Sequence, residues 1–106
     1  MEPLKLVPQQ DREQAAETMM AQAEAVLAFL NQKTGRKFPA RTPRGQATAA
    51  TLMIFDRLRD GYTVEDMRSV VAMKVRNART DADRFYLRPI TLFRKSNFEQ
   101  SIGELE

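Results

Sequence analysis

Residues 61–66 (GYTVED) predict a tight turn that joins two helices. A glycine such as Gly61 can adopt the positive φ that ends a helix. Thr63 and Asp66 have the spacing of a capping box, in which each side chain accepts a hydrogen bond from the backbone N–H group of the other residue. Apolar residues recur at helical spacing on both sides of this turn, and no stretch alternates with period two for long enough to predict a sheet. We therefore expect an all-α fold, a small bundle of three principal helices plus short C-terminal helices.

The 106 residues are enough for one small domain. Residues 1–10 contain two prolines and no periodic apolar pattern, so they are predicted to be a flexible lead-in. Residues 11–106 are predicted to form a single helical domain. Its first helix is expected to begin near Asp11, which can act as an N-cap, and to end at Gly35 in a left-handed conformation.

A basic loop separates the first helix from the second, which is expected to begin with Thr42 as N-cap and Pro43 at the first helical position. This second helix is expected to run to about Arg59, and the third begins after Thr63. Each helix has one apolar face, formed by Ala47, Ala50, Ile54, Phe55 and Leu58 in the second and by Val64, Met67, Val71, Val75 and Ala78 in the third.

The C-terminal segment is predicted to cover these two faces. Asp81 begins a short fourth helix that should end before Pro89, because the residue before a proline is disfavoured in the helical region. Thr91 is predicted to cap a last short segment that ends near Ile102 or Gly103. The residues expected to close the core are Leu87, Leu92 and Phe93, together with Phe85 or Tyr86. The aromatic residues of this segment stand among arginines, and stacking on unpaired bases is their alternative role.

The composition excludes several classes of function. The chain has no cysteine and no histidine, so it can form neither a disulfide nor a thiolate metal site, and it lacks the usual general base. Its paired acids stand at predicted helix starts, whereas two-metal nucleases need several converging carboxylates. We therefore expect no enzyme activity, no cofactor and no metal. No apolar run approaches the roughly 18 residues of a membrane span. The N-terminus lacks a signal-peptide core, so we expect a cytoplasmic protein without a membrane partner.

The net charge of +3 hides an asymmetry along the chain. Residues 1–30 carry two basic and five acidic groups, whereas residues 31–95 carry fifteen basic and six acidic groups, a net charge of +9. Such a field attracts polyanions, and DNA is the partner it favours. An acidic protein partner, or a surface that is charged only for solubility, is the alternative interpretation.

Eight cations are predicted to contact DNA phosphates: Lys33, Arg36, Lys37, Arg41, Arg44, Arg76, Arg79 and Arg88. The first five lie in residues 33–44, a stretch of twelve residues without an acid. This stretch lacks the glycine and lysine spacing of a nucleotide-binding P-loop. Arg76 and Arg79 lie near the end of the third helix, where they also complement the helix dipole. For Arg88 two roles stay open, contact with phosphate or hydrogen bonding to carbonyls at a helix end.

Four segments together resemble one protein family. They are LNQKTGRKF at 30–38, GYTVED at 61–66, YLRPITLF at 86–93, and Phe98 with Ile102. This pattern resembles the small conserved phage C-terminal domain found on DnaD-like replisome organiser and replication initiation proteins, and it covers about residues 26–102. Members of that family often carry a tryptophan near the end of the third helix, where this chain reads VRNA at 75–78 and has no tryptophan.

The resemblance implies a phage or prophage protein in the cytoplasm of a bacterial host. It implies a non-enzymatic DNA replication accessory that binds DNA with little sequence preference. It also implies a partner in the replication machinery, such as the replicative helicase or its loader. The alternative is a protein-interaction adaptor, or a phage inhibitor of a host factor, that uses its basic face.

Overall fold

Six helices follow one another in residues 9–105, the part of the chain that the structure describes, with the backbone alone described for residues 9–14. In this computed structural model they are α1 (Gln9–Thr34), α2 (Ala49–Arg59), α3 (Val64–Asn77), α4 (Asp81–Phe85), α5 (Pro89–Leu92) and α6 (Lys95–Glu104). No β-strand occurs in that range, and one isolated antiparallel bridge joins Arg41 to Ala47. The all-α prediction, with three principal helices and shorter C-terminal ones, is confirmed.

The first helix begins earlier than predicted and ends where predicted. It starts at Gln9, so Asp11 lies inside α1 and does not cap it; glutamine is a good helix former and extends the helix upstream. Gly35 ends the helix with φ +72°, and its backbone N–H group donates to the carbonyl of Asn31 at 2.8 Å. Residues 1–8 of the predicted lead-in lie outside the described residues.

The second helix starts six residues later than Thr42 and Pro43 indicated. Its N-cap is Thr48, whose hydroxyl accepts a hydrogen bond from the N–H group of Thr51, and its first residue is Ala49. Residues 42–45 form a turn instead, in which the N–H group of Gly45 donates to the carbonyl of Thr42 at 2.8 Å. Gly45 has φ +84°, which is incompatible with the first turn of a right-handed helix. Pro43 therefore occupies the second position of a β-turn, the other common position of proline.

The turn at residues 61–66 has the predicted geometry. Gly61 has φ +106°. The Thr63 hydroxyl accepts from the N–H group of Asp66 at 3.0 Å, and the Asp66 carboxylate accepts from the N–H group of Thr63 at 2.9 Å. A second capping box, which the sequence analysis missed, starts α4 with Thr80 and Asp83.

The two C-terminal helices start at Pro89 and Lys95 rather than at a cap formed by Thr91. Pro89 occupies the first position of α5, with Arg88 before it in an extended conformation. Thr91 consequently lies inside α5, and α6 begins after Arg94. The preceding helix, α4, ends at Phe85 and thus before the proline, as predicted. Pro89 starts a helix of its own because its fixed φ suits the first helical position.

The core lies where α1 packs against α2 and α3, and α5 and α6 close it. Its central cluster consists of Ala23, Val26, Leu27, Leu30, Ile54, Leu58, Met67, Val70, Val71, Leu92, Phe93 and Phe98. Val70 and Met73 were not assigned to the buried face of α3, which is wider than one stripe because α3 meets both α1 and α6. Of the predicted apolar faces, Ala47, Ala50, Phe55, Val64, Val75 and Ala78 are only partly buried.

Leu92 and Phe93 are buried as predicted and cover the cluster. Leu87 is also buried, but it lies outside the central cluster. The prediction that Phe85 or Tyr86 completes the core is wrong: their exposed fractions are 51% and 58%. Both belong to α4 or its C-cap, and no residue of α4 is buried, because this five-residue helix is held by its own capping box at the surface.

Candidate nucleic-acid interface

Two cations of α1 and α3 share one aromatic ring. The Nζ atom of Lys33 lies 5.4 Å from the centre of the Phe29 ring, and the guanidinium carbon of Arg68 lies 5.5 Å from the same centre. A ring between two cations offers each of them its electron-rich π system. The apolar stems of both side chains can therefore rest on Phe29 while their charged ends remain in solvent.

A cleft at the C-terminal ends of α1 and α3 extends this positive surface. It has a volume of about 310 Å³ and is lined by Lys33, Thr34, Arg36, Val75, Ala78, Arg84 and Leu87. The Nη2 atom of Arg36 donates to the backbone carbonyl of Arg84 at 2.9 Å, so the two arginines are brought together by a defined contact. None of the lining side chains is acidic. We refer to Lys33, Arg36, Arg68 and Arg84 as the basic strip.

The basic strip includes two residues that were not among the eight predicted contacts. Arg68 and Arg84 come from α3 and α4, far in sequence from the basic loop that guided the prediction. Packing between elements brings both arginines to the strip. Arg68 is placed there because α3 lies against α1, and Arg84 because Arg36 links the loop to α4. No local charge density in the sequence carries that information.

Arg41 differs from the other predicted contacts because its charge is balanced within the protein. Its Nε atom lies 2.8 Å from a carboxylate oxygen of Glu24 on α1. Its Nη1 atom donates to the carbonyl of Gly45 at 2.8 Å. Arg41 therefore fastens the turn at residues 42–45 to α1, and it contributes little net charge to a phosphate-binding surface.

The other predicted cations are solvent-facing. Lys37, Arg44, Arg76 and Arg79 are exposed, and none has an ion-pair partner in the part of the chain that the structure describes. Arg76 and Arg79 follow Val75 and Ala78 in sequence, which line the cleft. These two arginines can therefore add to the positive field beside the basic strip, whereas Arg44 stands in the separate turn before α2.

Of the two roles considered for Arg88, hydrogen bonding to carbonyls at a helix end is not seen in the described residues, and contact with phosphate stays a prediction. The guanidinium carbon of Arg88 lies 4.2 Å from the centre of the Phe85 ring, a cation–π contact. Phe85 in turn meets Tyr86 edge to face, with ring centres 5.3 Å apart. Arg88 is thus part of an aromatic cluster at the end of α4.

Arg88 also borders an apolar groove between the basic loop, α2 and α5. The groove has a volume of about 300 Å³, and its other lining residues are Phe38, Pro39, Thr48, Ala49, Ala50, Met53, Pro89 and Ile90. Ile90 is exposed, and so is Leu52 on α2. This groove shares no lining residue with the cleft that contains Lys33, Arg36 and Arg84.

The acids near these surfaces have structural partners. The pKa of Asp83 is lowered by hydrogen bonds from the backbone N–H groups of Arg79 and Thr80, so this carboxylate stays ionised as the cap of α4. Glu104 lies 3.0 Å from the Nζ atom of Lys74.

Among residues 9–105 there is no group of three or more acidic, histidine or cysteine side chains placed to hold a metal ion. Across the same residues, each helix is too short or too polar to cross a bilayer.

The chain matches a known protein family over most of its length. Residues 26–102 match the family described as "Conserved phage C-terminus". This range contains every helix from α2 to α5, the C-terminal part of α1, most of α6, and all eight predicted contact residues. The comparisons with curated proteins and with solved structures give no significant match.

Proposed function

We propose, since the chain belongs to the conserved phage C-terminus family, that it is a non-enzymatic accessory of phage or prophage DNA replication that binds DNA with little sequence preference. The replication role follows the resemblance to the C-terminal domain of DnaD-like initiation proteins. On the same ground, we propose that it acts in the bacterial cytoplasm and helps to recruit a replicative helicase or its loader.

The basic strip is the observation that carries the DNA-binding proposal. Lys33, Arg36 and Arg84 converge on one cleft without an acid in its lining, and Arg68 continues the positive surface across Phe29. Cations held close together repel one another, and an anion placed between them relieves that repulsion. A chain of phosphates fits such a strip because it presents one negative charge after another.

Contacts of this kind explain a lack of sequence preference. Lysine and arginine side chains that meet phosphate oxygens set the position of the nucleic acid but do not read its bases. Each such contact releases condensed counterions, so the affinity falls as salt rises. Binding through the basic strip should therefore be strongly salt-dependent and similar for unrelated sequences.

The test is a titration of fluorescently labelled DNA of two unrelated sequences at several salt concentrations. The variant Lys33→Ser/Arg84→Ser removes two cations of the strip and leaves Arg36, which has a structural hydrogen bond, in place. We expect the slope of log K against log salt to fall by roughly 1.4 to 1.8, the sum for two phosphate contacts. Both sequences should be affected equally.

The matched control is Arg59→Ser/Arg94→Ser. Both residues are exposed and lie outside the strip, at the end of α2 and before α6. This control removes the same net charge, so a general loss of electrostatic attraction between protein and DNA would appear in both variants. Equal effects of the two variants would reject the basic strip as the contact surface. No binding of wild-type protein at low salt would reject DNA as the partner.

A second candidate function rests on the apolar groove beside Arg88. A groove whose lining is mostly apolar, with exposed Ile90 at its edge, suits a protein segment better than a phosphate chain. It supports the adaptor or host-factor inhibitor, whose acidic partner would meet the basic face. Ile90→Ser should weaken such a partner's binding and leave DNA binding unchanged, whereas Lys33→Ser/Arg84→Ser should affect DNA.

A further inference from the structure

Phe85 and Tyr86 are the two aromatic side chains that folding leaves exposed. The other six aromatic residues of the chain are buried or half-buried. Tyr86 has the larger exposed fraction, 58%. Because α4 contributes no buried residue, neither ring is needed to close the core. Two large exposed rings side by side therefore point to a ligand that offers a flat, stackable surface.

The cluster holds its rings in a fixed arrangement. The guanidinium of Arg88 lies over the Phe85 ring at 4.2 Å, and Phe85 meets Tyr86 at an interplanar angle of 89°. Phe85 therefore contacts both Arg88 and Tyr86. Tyr86 contacts Phe85 and has the greater exposed fraction. Tyr86 is the better stacking platform of the two.

The cluster is continuous with the basic strip. Arg84 lines the cleft of about 310 Å³ at the C-terminal ends of α1 and α3, which we call the cationic cleft. Phe85 and Tyr86 follow Arg84 directly in the chain. Leu87 then lines the same cleft. A strand whose phosphates lie in the cleft would therefore bring its bases within reach of Tyr86. Cations that track a backbone beside aromatic rings are typical of surfaces that bind single-stranded nucleic acid.

Tyr86 also lines a second cleft, which is suited to the edge of a base. This cleft has a volume of about 440 Å³, lies between α3, α4 and α6, and shares Ala78 and Leu87 with the cationic cleft. Its lining includes the uncharged polar residues Asn77, Thr91, Asn97, Gln100 and Ser101. Amide and hydroxyl groups can donate to and accept from base edges.

Within the described residues, the side chains of Asn77 and Gln100 make no hydrogen bond. The charged residues of this cleft are occupied: Lys74 pairs with Glu104, and Asp83 accepts hydrogen bonds from the start of α4. A neutral, hydrogen-bonding ligand group therefore suits the cleft better than another phosphate.

We propose that Tyr86 stacks on an unpaired base and that the chain consequently binds single-stranded DNA in preference to duplex. The inference rests on the proposed DNA-binding function and adds the strand form. In a duplex the faces of the bases are covered by their neighbours, so Tyr86 can stack only where a strand is unpaired. Phe85 and Arg88 act as positioning residues that hold the cluster in place.

The experiment compares three ligands of equal length: labelled oligothymidylate, a strand with the same phosphates but abasic sugars, and a blunt duplex. Tyr86→Ser is expected to weaken binding of oligothymidylate by at least about fivefold, the lower end for one stacked base. It should leave the abasic strand and the duplex unchanged, because their contacts are to phosphate. Leu52→Ser, which removes another exposed apolar side chain on α2, is the matched control.

A direct readout comes from the protein itself. The chain has two tyrosines and no tryptophan, so Tyr62→Phe leaves Tyr86 as the single source of tyrosine emission. Oligothymidylate should quench that emission and the abasic strand should not. Tyr86→Trp should keep the affinity, since a larger ring also stacks.

The outcomes separate this inference from the proposed function. Equal binding of oligothymidylate and the abasic strand by wild type would overturn stacking, while DNA binding would stand. An equal loss for all three ligands in Tyr86→Ser would show a structural role and would also overturn it. Concentration-dependent self-association that Tyr86→Ser abolishes, without an effect on oligothymidylate, would make the cluster a protein interface. No binding of any ligand would reject the proposed function and this inference with it.

Discussion

The guanidinium of Arg57 donates a hydrogen bond of 3.1 Å to the backbone carbonyl of Phe93. Arg57 belongs to α2 and has an exposed fraction of 8%, and Phe93 follows the last residue of α5. The Nε atom of Arg57 also lies 2.9 Å from a carboxylate oxygen of Asp60, but its N–H bond does not point at an acceptor, so this contact is an ion pair only. Arg57 thereby fixes the segment that closes the core.

Replacing Arg57 by Met should destabilise the fold. The variant keeps much of the apolar stem but leaves the Phe93 carbonyl without its donor. We expect the free energy of unfolding to fall by about 1–3 kcal/mol, the usual range when a buried polar group loses its partner. Arg59→Met is the control on the same helix, since Arg59 is exposed, and its effect should stay within about 0.5 kcal/mol. Urea unfolding followed by circular dichroism measures both, and equal stabilities would contradict the role of Arg57.

Truncating Phe93 to Ala should cost more. Phe93 is fully buried, and its ring centre lies 5.8 Å from that of Phe98. Removing a buried phenyl ring costs about 3–5 kcal/mol, which is enough to unfold many domains of this size. Phe85→Ala, at an exposed ring, should remain folded. Thermal unfolding of the two variants checks this, and an unchanged melting temperature for Phe93→Ala would show that the ring does not close the core.

The sequence predicted the helices well where local chemistry determines them. The capping box at Thr63 and Asp66 and the left-handed Gly35 depend on residues a few positions apart in the chain, and both were predicted. Thr42 and Thr48 are both candidate N-caps of α2. The positive φ of Gly45 excludes Thr42, because a helix that starts there would have to continue through Gly45. That exclusion is visible only once the turn has formed, because a glycine in a sequence is compatible with either conformation.

The candidate site was less predictable because it depends on packing between distant segments. Arg36 meets Arg84 across 48 residues of sequence, and Arg41 loses its free charge to Glu24, which lies 17 residues away. Charge counts treat these arginines as equivalent to exposed ones. Arg57 was likewise counted in the basic excess, although it is buried and serves the core.

Two glycines offer a clean test of backbone strain. A Cβ atom added at either Gly61 or Gly103 would meet no atom from elsewhere in the chain within 4 Å, but only Gly61 of the two has positive φ, at +106°. Gly61→Ala should therefore lower the free energy of unfolding by about 1–2 kcal/mol, through backbone strain alone. Gly103→Ala, inside α6, should raise it by about 0.5–1 kcal/mol, because glycine is a poor helix former. Chemical denaturation compares them, and changes of the same sign would contradict the assigned turn geometry.

The capping of α4 predicts a pH dependence. Hydrogen bonds from the N–H groups of Arg79 and Thr80 lower the folded-state pKa of Asp83 below its ordinary value of 3.8. A lowered folded pKa stabilises the fold above the unfolded pKa, and that contribution is lost as the pH falls from 3.8 through the folded pKa. Asp83→Ala should therefore melt at a lower temperature than wild type at neutral pH, and the difference should shrink below pH 3.8. A difference in melting temperature that is constant with pH would contradict an ionised cap.

Lys37 and Arg41 are predicted to differ in DNA binding although both stand in the same basic loop. Lys37 is exposed without an ion-pair partner among the residues that the structure describes, whereas Arg41 pairs with Glu24 and with the Gly45 carbonyl. Lys37→Ser should lower the slope of log K against log salt by roughly 0.7–0.9 and leave stability unchanged. Arg41→Ser should change the slope much less, because Arg41 is already paired with Glu24 and therefore contributes little to a phosphate-binding surface. It should instead lower the free energy of unfolding by about 0.2–1 kcal/mol, as for an exposed ion pair. Equal slopes for the two variants would show that the Arg41–Glu24 pair opens when DNA binds.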